Sequence, residues 1–208
     1  MNLMILMASA IVSALFVNDG EGFTRVKENA KLQALLAQNP KLDLFETAAL
    51  GTTQQLEAMM KDDPSAVAKM TPFGWTPLHL AAFAGNAANT ELLIRKGANI
   101  ESRAKSKFRN TPLQTALLTG EYETAKILLD HGADPLVRQS LGFTPMHEAA
   151  FSGRQDLVQL LLDHGAELNS RSDSGKTPLA EALRGKHEEL ASWLKTKGAV
   201  VEPVADKE

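Results

Sequence analysis

At a near-constant interval the chain writes Thr-Pro followed by an apolar run, at Thr76-Pro77, Thr111-Pro112, Thr144-Pro145 and Thr177-Pro178. Each time Gly-Ala stands twenty-one residues beyond the Thr, at Gly97-Ala98, Gly132-Ala133, Gly165-Ala166 and Gly198-Ala199. The steps between the Thr residues are 35, 33 and 33. Thirty-three residues before Thr76 is Asp43, followed by LFETAALG, which makes a fifth copy with Asp in the Thr place. A period of this length rules out a globule with one centre. Each unit is one supersecondary element that buries its apolar side only by stacking on the next.

The residues inside a unit give its local structure. Thr is a preferred N-cap, and Pro at the first helical position loses nothing, because that N–H has no helical partner. Asp43 with Glu46, and Thr111 with Gln114, have the spacing of a capping box. Leu78, Ala81 and Ala82, and again Met146, Ala149 and Ala150, fall at helical spacing, and paired alanines let two helices approach closely. Gly85, Gly120 and Gly153 mark where this helix stops. A second apolar helix follows through Leu92-Leu93-Ile94, Ile127-Leu128-Leu129 and Leu160-Leu161-Leu162, and Gly-Ala closes it. In unit five the stop glycine stands one place early, at Gly185.

The pattern Gly-x-Thr-Pro-Leu-His-x-Ala-Ala-x-x-Gly, with an apolar helix ending Leu-Leu-x-x-Gly-Ala, resembles the ankyrin repeat over about residues 41 to 201. The resemblance implies an all-α, ankyrin-type helix-turn-helix solenoid with short β-turn fingers. Five repeats are expected, at about 41–73, 74–106, 107–140, 141–173 and 174–201. An N-terminal half-repeat cap is expected at 22–40 and a tail at 202–208, and 1–21 is an apolar N-terminal segment.

Met1 to Val17 carries no charged side chain. It is read as a signal, an anchor, a start artefact or a packed cap helix, with a cytoplasmic location favoured over export or anchoring. The chain has no cysteine, which removes disulfides, thiolate catalysis and Cys-based zinc sites. A formal charge of -3 gives no footprint for nucleic acid.

Candidates for chemistry fail one by one. Residues adjacent on a helix point about 100° apart, so His147 and Glu148 do not share a site. No two histidines in a unit have metal-ligand spacing. Gly175-Lys176-Thr177 resembles the end of a phosphate-binding loop, but the required earlier glycine is Ser170. No enzyme, cofactor or metal is expected. The family resemblance implies instead that His79 and His147 tie neighbouring units together through backbone hydrogen bonds.

It also implies binding on a concave face made by loop tips and first helices. Phe73, Trp75, Phe83, Phe108, Phe143 and Phe151 fall there, six of the eleven aromatic residues in the chain. Either these rings form an apolar binding strip or they pack on neighbours and support the stack; burial discriminates. The third loop holds the two extra residues and four alternating cations, Arg103, Lys105, Lys107 and Arg109. It is either a solvated turn or an electrostatic lip for an acidic partner segment. The expected function is a monomeric, non-catalytic scaffold for another protein. The alternative is an exported or membrane-tethered accessory protein that stabilises or protects a partner enzyme.

Overall fold

The computed structural model describes residues 41–201, with Ala34, Ala37 and Gln38 ahead of them. The apolar segment 1–21, the rest of the half-repeat at 22–40 and the tail lie outside the described residues. Among the described residues are ten α-helices in five pairs: α1 Leu44–Leu50 with α2 Thr53–Asp62, α3 Pro77–Ala84 with α4 Ala87–Arg95, and α5 Pro112–Thr119 with α6 Tyr122–Asp130, then α7 Pro145–Phe151 with α8 Gln155–Asp163, and α9 Pro178–Arg184 with α10 Glu188–Thr196. A 3₁₀ turn, Pro64–Ala68, follows α2. None of these helices is long and apolar enough to cross a membrane.

The odd-numbered helices pack side by side as an inner row, and the even-numbered ones cover them as an outer row. One continuous core runs between the rows, through Leu56, Leu78, Leu93, Leu113, Leu128, Met146, Leu157, Leu161 and Leu179, all fully buried. The alanine pairs lie in the inner row and let its helices touch. The α5–α7 seam is the thinnest of that row, where Leu117 replaces the second alanine.

The repeated letters do repeated work. Gly97, Gly132, Gly165 and Gly198 all hold φ between 86° and 88°, the left-handed turn that ends a helix. The next alanine then donates its N–H to the carbonyl five residues back, Ala98 to Leu93 and Ala133 to Leu128, both at 2.9 Å. Unit five departs from the sequence expectation. Gly185 has an ordinary helical φ of -73°, and Lys186 takes the left-handed turn at φ 62°. The turn has therefore not moved with its glycine. Gly185 is small for another reason: a Cβ there would lie 2.9 Å from the carbonyl of Phe151 in the unit before.

Unit one ends its inner helix without a left-handed residue, since Gly51 has φ -78°. Its open carbonyls are met by side chains of the next unit. Asn86 Nδ2 donates to Ala49 and Gly51, and the fully buried Asn89 Nδ2 donates to Thr47, Ala48 and Gly51 at 3.0–3.1 Å.

The histidines join units. His79 Nδ1 accepts the N–H of Thr76 at 3.2 Å, while Nε2 lies 3.1 Å from the carbonyl of Asn110 in the next unit. A carbonyl only accepts, so Nε2 carries the hydrogen and the ring is neutral. His147 repeats this with Thr144 at 3.1 Å and Lys176 at 2.8 Å. Gln114 holds the same place and keeps half the arrangement: Oε1 accepts the N–H of Thr111, but the buried Nε2 has no partner. Gln114→His is expected to supply the missing tie and raise stability by about 1–2 kcal/mol. That corresponds to roughly 2–8 °C in melting temperature. A thermal melt with no rise would contradict this account of the ring.

Candidate functional site

Between the helix pairs the chain makes fingers, each closed by backbone bonds. Thr71 N–H donates to Trp75, Gln139 to Phe143 and Ser172 to Lys176, at 2.9–3.0 Å. The third finger closes from Ala104 to Asn110 at 3.0 Å, so the two extra residues sit inside its loop. Successive fingers are joined at their tips. Lys105 N–H donates to the carbonyl of Phe73 at 2.7 Å, Ser140 to Phe108 at 3.1 Å and Asp173 to Leu141 at 3.1 Å. Phe73, Phe108 and Leu141 are thus equivalent positions aligned along the stack. Gly74 shows how close the fingers come: a Cβ there would lie 2.7 Å from the backbone nitrogen of Lys105.

A second ladder runs through arginines. Arg103 donates to the carbonyl of Arg138, and Arg138 donates to that of Arg171, both at 2.9 Å. Arg138 also pairs with Asp173 at 3.0 Å. These arginines recur at steps of 35 and 33, the spacing of the Thr-Pro pairs, a signal the chain itself carries.

Burial divides the six aromatic residues. Phe73, Phe108 and Phe151 are 37%, 46% and 39% exposed, and Leu118 and Leu141 are exposed as well. Trp75 and Phe143 are half-buried. Trp75 packs on Phe83 at 5.8 Å between ring centroids, and Phe143 lies edge-on to His147 at 5.2 Å. Phe83 is only 2% exposed. Its ring belongs to the packing beneath Trp75 and not to the surface, because α1 and α3 approach closely there through Ala49 and Leu80. So three of the six rings face solvent and three sit wholly or partly in the stack.

The four cations of the third finger are all exposed, with Ser102 buried ahead of them and Ala104 buried between the first two. None of Arg103, Lys105, Lys107 and Arg109 makes an ion pair among the described residues. Arg109 stands out in its backbone. Its φ is 58°, where the other fingers place Gly74, Gly142 and Gly175 at φ 72° to 80°.

Two glutamates on the inner row were not expected at the site. Glu181 is buried and bound by Nε of Arg184 at 2.7 Å, while the guanidinium of Arg184 lies 4.2 Å from the ring centre of Phe151. Glu148, one unit earlier, accepts from Gln139 Nε2 at 2.6 Å, and its second oxygen and Gln139 Oε1 are both buried without a partner. Burial pushes the Glu148 carboxyl well above the usual range, against the smaller opposing effect of the Gln139 bond. A neutral carboxylic acid carries the one donor this pair is short of. His147 and Glu148 therefore have separate partners, backbone on both ring nitrogens and Gln139 on one carboxyl oxygen.

Comparison with known proteins agrees with this architecture. A family model described as "Ankyrin repeats (3 copies)" matches residues 37–139 and 135–204. The chain is similar to the mouse "Ankyrin repeat and SAM domain-containing protein 6", 34% identical over 101 residues, which is 49% of this chain and 11% of that protein. It is 46% identical over 59 residues to the human "Ankyrin repeat and KH domain-containing protein 1", 28% of this chain and 2% of that protein. It is also similar to the rice "Probable E3 ubiquitin-protein ligase XBOS31", 31% identical over 99 residues, 47% of this chain and 22% of that one. The chain thus spans a quarter or less of each of these relatives.

Proposed function

The chain belongs to the ankyrin repeat family, and on that footing we propose that it is a non-catalytic scaffold that holds another protein on the face of its fingers and inner helices, concave in this family. Ankyrin repeats are in general protein-binding modules, which gives the mode but not the partner. The observation that carries the reading is the set of large exposed apolar side chains, Phe73, Phe108 and Leu141 at the joined finger tips, with Leu118 and Phe151 at matching positions of α5 and α7. Apolar side chains contiguous on a surface mark interaction sites. Trp75 and Phe143 border the set, Phe83 supports it from beneath, and Arg103, Lys105, Lys107 and Arg109 form its edge.

The double variant Phe108→Ala/Phe151→Ala tests this. Both rings are exposed, so the fold should change by no more than about 0.5 kcal/mol per site. Loss of two aromatic anchors should weaken partner binding by about 2 kcal/mol or more, roughly thirtyfold. Quantitative pulldown from the source cell, wild type against variant, reads the difference. An unchanged set of captured proteins would refute the concave-face reading.

A further inference from the structure

The third finger is built unlike its neighbours, and the differences converge on a ligand of one chemistry. It is two residues longer. It carries three cations, Lys105, Lys107 and Arg109, whose side chains meet no acid or carbonyl among the described residues, and a fourth, Arg103, whose charge is not neutralised by its carbonyl bond. Phe108, the most exposed ring of the strip, stands in the middle of them. The fourth finger differs, since its Arg138 is matched by Asp173. The chain as a whole is acidic, at -3, so this concentration of positive charge is local.

Arg109 adds an independent observation. A non-glycine residue in the left-handed region crowds its Cβ against the following carbonyl, and the other three fingers avoid this with glycine. A fold under selection for stability alone has no use for Arg109. Strain kept where a glycine would relieve it points to what the side chain does. The basic finger is joined to the exposed Phe73 through the Lys105–Phe73 backbone bond, and to the fourth finger through the Ser140–Phe108 bond.

We propose that this finger and the adjoining strip bind an acidic protein segment with apolar residues between its carboxylates. The carboxylates lie against Lys105, Lys107 and Arg109, and the apolar side chains against Phe108 and Phe73. The proposal rests on the concave-face reading and names its partner class. Opposite charges arranged in this way steer association and set register, and their effect fades with salt.

The test is a display library of random twelve-residue peptides, selected on the full chain at low salt. Enriched sequences are expected to be acidic and apolar. Their binding should fall about tenfold or more in Lys105→Glu/Lys107→Glu, and again when salt is raised from about 0.05 to 0.3 M. Arg109→Gly is the decisive variant. It should melt higher than wild type, because the strain is gone, and yet bind the selected peptides at least threefold more weakly. A purely structural Arg109 would raise melting and leave binding untouched, which would overturn the proposal. Enrichment of basic or neutral peptides that Phe108→Ala still releases would overturn the partner chemistry and leave the concave-face reading standing. Enriched peptides indifferent to Phe73→Ala, Phe108→Ala and Phe151→Ala together would overturn both. Displacement of the selected peptides by a single-stranded oligonucleotide of equal charge would assign the finger to nucleic acid instead.

Discussion

Replacing His79 by Ala should lower stability by about 3–5 kcal/mol. The ring is fully buried, so its removal leaves a hole in the inner row. It also strips the Thr76 N–H of its acceptor and the Asn110 carbonyl of its donor. In a chain of this size the loss corresponds to roughly 6–20 °C in melting temperature. The effect depends on pH in a definite sense. Burial depresses the His79 ring to about 4, with the Asn110 bond opposing, and His147 is lowered for the same reason. The unfolded chain takes up the proton near pH 6.5 and the folded one does not. The unfolded state then binds more protons, so stability is present at neutral pH and is lost as pH falls from about 6.5 to about 4. For His79 this amounts to about 3 kcal/mol. Wild type should therefore lose its advantage over His79→Ala as pH drops, and melting curves at pH 7 and 4.5 measure it. A gap of equal size at both pH values would show that the neutral ring is not what ties the units.

Asn89→Ala should cost about 2–4 kcal/mol and spend it locally. One amide donates to three carbonyls of unit one, and Asn86 beside it donates to two at the end of the same helix. In a stack each unit leans only on its neighbours, so damage at one joint stays there. Amide hydrogen exchange should show residues 44–62 losing protection while 112–196 keep it. Protection lost evenly along the chain would mean that the array unfolds as one body and that this joint has no special part.

The fold was legible because its instructions are local and written several times over. A Thr-Pro cap and a Gly-Ala clasp each act within one turn of chain, so their spacing gives the helices and their recurrence gives the stack. What escaped reading are the bonds between units. Asn89 looks like any polar helix residue until the end of unit one, about forty residues back in the chain, is laid beside it. Lys186 could not be seen to take the left-handed turn, because Gly185 next to it is the obvious candidate and is held for the close approach of Phe151. The site was half legible. Which aromatic residues line the face follows from repeat position, but whether a ring at that position faces water depends on the partner beneath it. Phe83 and Phe151 hold the same place in their units, yet Phe83 lies under Trp75 at 2% exposure and Phe151 stands out at 39%.

Gln114 leaves one joint of the stack without its cross-tie, and at that same joint Leu117 thins the contact between α5 and α7. The mechanical consequence is that the third and fourth units are held more at their rims, through Arg154 to Gly120 and Ser140 to Phe108, than along their inner helices. A load across the stack would therefore be carried at this seam by its fingers and helix ends and not by its inner row.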